Sequence, residues 1–209
     1  ASINLVECIN HDNLKSFIQI GSSDEYGNNT APQNEYQRER PISPYSLAKV
    51  SATHFFQMLH RTENFPVVIL RPFLVYGENQ GESRFIPQVI QSCLKNKVFP
   101  VSKGNQLRDF CFISDIVDAI FISLNCKKAC GEVINVASGI PIDIRSVVEN
   151  IQELTGFGKP EFGLVPFREG ENMELYADIS KAKKILNWSP KVELTKGLKR
   201  TIKSFQEAH

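Results

Sequence analysis

The sequence predicts an α/β fold with parallel strands, and three observations point to it. An apolar segment at residues 17–21 predicts a buried strand, and a helical apolar pattern follows at residues 43–62. A second apolar segment at residues 67–71 predicts another buried strand. Two strands joined through a helix are typical of a parallel pair with a right-handed crossover.

The helix between these strands has clear signals at both ends. Ser43 is a favourable N-cap, and Pro44 fits the first helical position, where no N–H is needed. Asn64 followed by Pro66 predicts the end of the helix. A helical apolar pattern also occupies residues 1–9.

Helices and strands continue to alternate after Gly77. The pattern predicts strands at residues 108–113 and 133–137, and helices at residues 85–94, 115–124, 144–154, 181–186 and 194–206.

Composition narrows the class of protein. The 24 Lys and Arg residues nearly balance the 23 Asp and Glu residues, so no global field attracts nucleic acid or acidic membrane. The apolar segments are too short to span a bilayer of about 30 Å, and no signal peptide opens the chain, so we expect a cytoplasmic protein. The basic residues between Lys181 and Lys203 predict a solvated face, since no aromatic side chains alternate with them.

Five cysteines in mostly apolar segments predict reduced, buried thiols. Cys126 and Cys130 could be read as a metal pair, but a second pair of Cys or His ligands at short spacing is absent. We therefore expect no metal site.

Tyr45 and Lys49 lie four residues apart in the predicted helix, so both side chains stand on one face. An ammonium near a phenol stabilises the phenolate, which favours acid–base chemistry. A chance pair on a solvated helix is the alternative. Ser22 and Ser23 follow the first strand, at the sheet end where ligands of parallel sheets bind, although serines also favour turns.

Further segments join these in a fixed order: Gly21-Ser-Ser-Asp-Glu-Tyr-Gly27, Pro41-Ile-Ser-Pro-Tyr-Ser-Leu-Ala-Lys49, Leu70-Arg-Pro-Phe-Leu-Val-Tyr-Gly77, Gly104-Asn-Gln-Leu-Arg-Asp-Phe110, and Phe167-Arg-Glu-Gly170 through Ala177-Asp-Ile-Ser-Lys181. With them the chain resembles the extended short-chain dehydrogenase/reductase family. Members epimerise, dehydrate or reduce nucleotide-diphosphate sugars with NAD or NADP. The resemblance covers nearly the whole chain.

The resemblance implies a fold in two parts. Residues 1–77 correspond to the C-terminal part of a Rossmann-type parallel sheet with its catalytic helix. Residues 78–209 are mainly a smaller mixed α/β substrate-binding domain, with residues 108–137 returning to the Rossmann-type sheet.

The resemblance also implies roles for individual residues. Tyr45 is the general acid or base at a sugar hydroxyl, Lys49 tunes it and binds the nicotinamide ribose, and Ser22 hydrogen-bonds the same sugar oxygen. Arg71 is a further candidate cofactor contact. Candidate substrate contacts are Ser23, Arg108, Arg168 and Leu74, the last standing where many relatives place an asparagine.

The turn after the first strand bears on the reaction. Aligned on Tyr26, it offers Asp24 as the one acid of the pair that a 4,6-dehydratase uses. If the alignment were shifted by one residue, both Asp24 and Glu25 would match the acidic pair of a 4,6-dehydratase. We rank 4-epimerisation or 4-keto reduction above 4,6-dehydration.

The glycine-rich loop that binds dinucleotide phosphates in relatives is absent from this sequence. We therefore expect this chain alone to bind NAD or NADP weakly or not at all. Two alternatives remain: a non-catalytic sugar-nucleotide-binding or RNA-associated relative, and a dimerisation unit. In the second, the opening helix and the Tyr45 helix form a four-helix homodimer with Phe55, Phe56 and Leu59 in its seam.

Overall fold

A computed structural model describes residues 2–167 and 170–207, and it has the α/β fold that the sequence predicts. The candidate substrate contact Arg168 lies outside the described residues. The helices are α1 Ser2–Cys8, α2 Pro44–Glu63, α3 Phe85–Leu94, α4 Ile113–Asn125, α5 Ile144–Thr155, α6 Ser180–Leu186 and α7 Leu194–Glu207. Each corresponds to a helix predicted from the apolar pattern, with ends that differ by at most a few residues.

The strands are shorter than the helices and were harder to predict. They are β1 Phe17–Ile20, β2 Val67–Pro72, β3 Leu74–Tyr76, β4 Val98–Val101, β5 Leu107–Arg108, β6 Phe110–Phe112, β7 Val133–Val136, β8 Ile142–Asp143, β9 Lys159–Phe162 and β10 Glu174–Leu175. The single strand predicted at residues 108–113 was wrong, because the chain breaks at Asp109 into β5 and β6. Strands of two to four residues are too short for the alternation of apolar and polar residues that identifies a strand in a sequence.

The central sheet has the order β1-β2-β7, and its strands are parallel. Phe17 lies opposite Val67 and Ile20 opposite Leu70, so β1 and β2 form the parallel pair predicted around α2. Residues 67–71 of β2 are buried on both faces, as expected of a central strand.

The remaining strands form smaller sheets. β3 pairs with β6 and β4 with β9, both in parallel, while β5 lies between β10 and β8. Thus β7 joins the central sheet, whereas β5 and β6 pair elsewhere. The division into domains at residue 77 stays a prediction.

Two bodies of apolar packing flank the site. One surrounds the central sheet, with Phe56, Leu59 and Val67 on one face and Ile116, Ala119 and Trp188 on the other. The second joins α3, α5 and α7 to β6 through Ile90, Val148 and Leu198 among others. The cleft described below opens beside β3, which follows directly on β2.

The ends of α2 follow the predicted capping. The hydroxyl of Ser43 accepts a hydrogen bond from the backbone N–H of Ser46 at 3.1 Å, and Pro44 opens the helix. Asn64 closes it in the left-handed conformation, with φ of 54°. Local capping contacts therefore define both ends of α2.

Two expectations about side chains were wrong. Phe56 and Leu59 do not lie on an open seam, since both are buried against the chain's own β1 and β2. Cys8 is exposed and Cys126 and Cys130 are half-buried, so only Cys93 and Cys111 are buried thiols. Within residues 2–167 and 170–207, no helix has the length and apolar character needed to cross a bilayer.

Candidate active site

An open cleft of about 1340 Å³ lies at the carboxyl ends of β1 and β2. This is the position at which open parallel sheets bind ligands. The cleft brings together most of the residues singled out from the sequence, namely Ser22, Ser23, Asp24, Tyr45, Lys49, Leu74 and Arg108. Residues from four separate segments thus converge on one space.

Tyr45 and Lys49 stand one turn apart near the start of α2. The Tyr45 side chain is 54% exposed, and Lys49 Nζ lies 5.7 Å from the centre of its ring. Lys49 Nζ also donates a hydrogen bond of 2.9 Å to the carbonyl oxygen of Ile20, the last residue of β1. The ammonium is therefore held between the sheet end and the phenol.

Ser22 begins a short 3-10 turn over Ser23–Tyr26. Its hydroxyl oxygen accepts a hydrogen bond from the backbone N–H of Asp24 at 3.2 Å, and its own N–H donates to Glu25 Oε1 at 2.8 Å. Among the described residues, the Ser22 hydroxyl donates to no acceptor. Its proton is available to an oxygen in the cleft.

Neighbouring acids in this turn have opposite environments. Asp24 lies in the cleft, where burial raises the pKa of its carboxyl and the charge of Arg108 opposes the rise. Glu25 is fully buried, and its Oε2 accepts hydrogen bonds from Thr53 Oγ1 at 2.8 Å and from the guanidinium of Arg71. The turn therefore presents one carboxylate to the cleft.

Arg71 lies beneath the cleft, outside the group of residues that line it. Its side chain is fully buried and bonds Glu25 Oε2 through Nε and Nη2, at 3.0 and 2.7 Å. Nη2 also donates to Glu39 Oε1 at 2.7 Å, and the guanidinium stacks 4.8 Å from the ring centre of Tyr26. Glu25 and Glu39 neutralise the buried arginine, and no pattern in the sequence linked these residues beforehand.

Arg108 is mostly buried at the side of the cleft, on β5. Its Nη1 donates to the carbonyl of Leu107 at 2.8 Å, and its Nη2 donates to the carboxylate of Glu171. Burial lowers the pKa of Arg108, and the charge of Glu171 opposes that shift. A guanidinium in this setting can bind an anionic ligand with a planar fork of donors.

Sequence reasoning missed several residues that line the far side of the cleft. Glu171 is one, and Arg84, Lys95 and Lys97 add positive charge around α3. Phe85, Phe99 and Phe110 contribute apolar surface. Arg84, Lys95 and Lys97 lie in a part of the sequence without a recognised motif, so only the fold reveals that they line the cleft. Glu171 and Phe110 border segments quoted above, but those segments did not indicate that their side chains face this cleft.

The donors at the inner end of the cleft suit the ribose and nicotinamide end of a dinucleotide. An exposed phenol and an ammonium stand there together, at the end of a parallel sheet. No cluster of three His, Cys, Asp or Glu side chains arranged to hold a metal occurs in the part of the chain that the structure describes.

A model of the family described as GDP-mannose 4,6 dehydratase matches residues 1–201. UDP-glucuronate 4-epimerase of Thermodesulfobacterium geofontis is 31% identical over 204 residues, covering 96% of this chain and 62% of that protein. dTDP-glucose 4,6-dehydratase of Haemophilus influenzae is 29% identical over 202 residues, covering 90% of this chain and 60% of that protein.

Solved structures agree with the sequence comparison. UDP-glucuronic acid 4-epimerase from Bacillus cereus, in complex with UDP-glucuronic acid and NAD, superposes with a TM-score of 0.90 at 32% identity. The match covers 100% of this chain and 67% of that one. The chain thus spans about three fifths of the length of the two curated relatives above.

Proposed function

Because the chain belongs to the GDP-mannose 4,6-dehydratase family, we propose that its protein modifies a nucleotide-diphosphate sugar at C4 with NAD or NADP. The proposed reaction is 4-epimerisation or reduction of a 4-keto group. Relatives whose names specify 4-epimerases, and a related structure that holds NAD, support this assignment.

The observation that favours these reactions over 4,6-dehydration is the contrast between Asp24 and Glu25. Loss of water across C5 and C6 uses an acid and a base together at the sugar. Here Asp24 lies in the cleft, whereas Glu25 is buried in its contacts with Arg71 and Thr53. A single acid in the cleft supports a reaction whose proton transfer occurs at the 4-hydroxyl alone.

In this proposal Tyr45 exchanges a proton with the 4-hydroxyl of the sugar, and Ser22 donates a hydrogen bond to the same oxygen. Lys49, whose ammonium is held beside the Tyr45 ring by its bond to the Ile20 carbonyl, would bind the nicotinamide ribose of the cofactor. When bound, NAD or NADP supplies hydride transfer at the sugar carbon. Arg108 holds the diphosphate, for which a buried guanidinium fork is suited.

The test is product analysis with the full-length protein. Purified enzyme is incubated with NAD or NADP and with UDP-, GDP- and dTDP-hexoses and their 4-keto derivatives, and products are identified by NMR. We expect a C4 epimer or a reduced C4 alcohol. Exclusive formation of 4-keto-6-deoxy sugars would show a dehydratase, and absence of any conversion would reject the enzymatic proposal.

We also propose that the present chain, tested alone, binds the dinucleotide weakly, since it contains no glycine-rich phosphate loop. Calorimetric titration with NADH and NADPH tests this point. A micromolar dissociation constant would contradict it.

We propose a homodimer that uses exposed apolar side chains of α1 and α2. Ile3 and Leu5 of α1 and Leu47 and Met58 of α2 are all exposed. Light scattering after size exclusion tests the association, and a monomer at micromolar concentration would contradict it.

A further inference from the structure

We infer that Glu25 and Thr53 act as positioning residues, which together hold helix α2 against the serine turn. The inference rests on the proposed function, since it concerns how Tyr45 and Ser22 are kept in register with each other. Neither Glu25 nor Thr53 lines the cleft, and both are fully buried. They act through the residues that they hold.

The two oxygens of one carboxylate make contact with two parts of the site. Glu25 Oε1 accepts the backbone N–H of Ser22 at 2.8 Å. Glu25 Oε2 accepts the hydroxyl of Thr53 at 2.8 Å, and Thr53 belongs to α2. The turn that carries the candidate hydrogen-bond donor and the helix that carries the candidate acid–base group therefore share a carboxylate.

Thr53 stands in the same row of α2 as the two residues of the acid–base pair. Tyr45, Lys49 and Thr53 are spaced by four residues, which makes each a neighbour of the next on the helix surface. Lys49 is bonded to the carbonyl of Ile20, and Thr53 to Glu25. This row is thus attached at two points to the segment between residues 20 and 25.

The carboxylate is itself held rigidly. Arg71 donates to Glu25 Oε2 from Nε and Nη2, and charge-assisted bonds of this kind are stronger than neutral ones. If the Thr53 hydroxyl is removed, Glu25 keeps its contacts with Arg71 and Ser22. The bond to α2 is lost, while the buried ion pair is preserved.

A small displacement of Tyr45 relative to Ser22 would reduce the rate more than the binding of substrate. Proton transfer requires the reacting groups at close hydrogen-bond distance, and displacement by about 1 Å can lower rates by a hundredfold. The diphosphate is held elsewhere in the proposed site, by Arg108. A positioning role therefore predicts a change in kcat with little change in KM.

The experiment compares substitutions at two threonines of α2 in the full-length protein. Thr53→Val removes the buried hydroxyl at nearly constant volume. We expect kcat to fall about tenfold or more and KM to change by less than about threefold, with Thr53→Ser restoring most of the rate. Thr62→Val is the matched control, because the Thr62 hydroxyl bonds the carbonyl of Met58 at an exposed position away from the cleft.

A second measurement does not depend on activity. Amide hydrogen exchange in residues 45–50 is compared between Thr53→Val and Thr62→Val, and we expect faster exchange in the first variant only. If the wild-type protein turns over substrate and Thr53→Val keeps its kcat, the positioning role is wrong while the proposed function stands. If the wild-type protein is inactive, the proposed function fails. Equal exchange in the two variants would show that the Thr53–Glu25 bond does not hold the start of α2, and it would reject the positioning role whether or not the protein is active.

Discussion

The carboxylate of Asp109 accepts hydrogen bonds from both the backbone N–H and the hydroxyl of Ser138, at 2.7 and 2.6 Å. It also accepts the N–H groups of Gly139 at 2.9 Å and Ala177 at 3.2 Å. Asp109, which lies between β5 and β6, thus connects these strands to the segments that follow β7 and β10. Because Asp109 is next to Arg108, this junction also supports the wall of the cleft.

Asp109→Asn should destabilise the protein strongly. An amide offers one acceptor oxygen, and its NH₂ group would face N–H donors that the carboxylate now satisfies. We expect a loss of about 3 kcal/mol in the free energy of unfolding, measured by urea denaturation. Asp178→Asn is the control, since Asp178 caps one N–H, that of Ser180, and should lose about 1 kcal/mol or less. Equal losses would contradict the role assigned to Asp109.

Tyr45→Phe should abolish most turnover of the full-length enzyme while the nucleotide sugar still binds. Removal of an acid–base group typically lowers the rate by about 10² to 10⁴-fold, so we expect kcat to fall at least about a hundredfold. The measurement is steady-state kinetics together with calorimetric binding. Tyr36→Phe serves as the control, because Tyr36 is highly exposed and does not line the cleft. Retention of full turnover would rule out Tyr45 as the acid–base group.

Arg108→Lys should weaken substrate binding, although the charge is conserved. Lysine lacks the planar fork that bonds two oxygens of a diphosphate, and it also loses the bond to the Leu107 carbonyl. We expect the dissociation constant of the nucleotide sugar to rise about tenfold, measured by calorimetry. Arg61→Lys, an exposed change on α2, should leave it unaltered. Similar affinities in both variants would remove Arg108 from the binding site.

Gly197→Ala should destabilise α7, although alanine favours helices by about 1 kcal/mol over glycine. A β-carbon at this position would lie 2.1 Å from Tyr76 Oη and 2.8 Å from Phe112 Cδ2. We expect a net loss of about 1 to 3 kcal/mol in thermal or urea unfolding, from overpacking against these two rings. Gly81→Ala is the control, because nothing lies within 4 Å of its added carbon. A stabilised Gly197→Ala variant would mean that α7 can shift.

The Arg71–Glu39 ion pair should contribute to acid denaturation. Burial opposes the shift, but hydrogen bonding and the charge of Arg71 hold the pKa of Glu39 below its ordinary value of 4.5. A lowered folded-state pKa gives stability that is present above the unfolded-state value and lost as the pH falls through the folded-state value. Glu39→Gln should therefore be less stable than wild type near about pH 7 and should lose less stability on acidification. Urea unfolding at several pH values measures this, and parallel pH profiles would contradict it.

Local signals in the sequence were sufficient for the helices. Ser43, Pro44 and Asn64 define α2 through capping and backbone preference, which act within a few residues. The same locality explains why Tyr45 and Lys49 could be placed together beforehand. Their relation to Ser22 followed from the parallel strand order, which brings strand ends to one edge.

Contacts between distant segments could not be predicted in this way. Nothing in the sequence around Glu25 indicates that Arg71 and Thr53 will neutralise and bond it, because these residues meet only after α2 packs on β1 and β2. Arg71 was assigned as a candidate cofactor contact because it lies in a recognisable segment of the sequence. Its complete burial outside the lining of the cleft depends on packing and could not be predicted from that segment. Likewise, Asp109 interrupts a predicted strand because its carboxylate binds two segments that are remote in sequence, at residues 138–139 and at Ala177.

The row formed by Tyr45, Lys49 and Thr53 does not run parallel to the axis of α2. Each residue of an α-helix advances by about 100°, so four residues return about 40° beyond a full turn and eight residues about 80°. The row therefore winds slowly around the cylinder, which takes it from Thr53, with no exposed surface, to Tyr45, which is 54% exposed. The pitch of one helix thus allows one end of the row to be anchored in the interior while the other end meets the ligand.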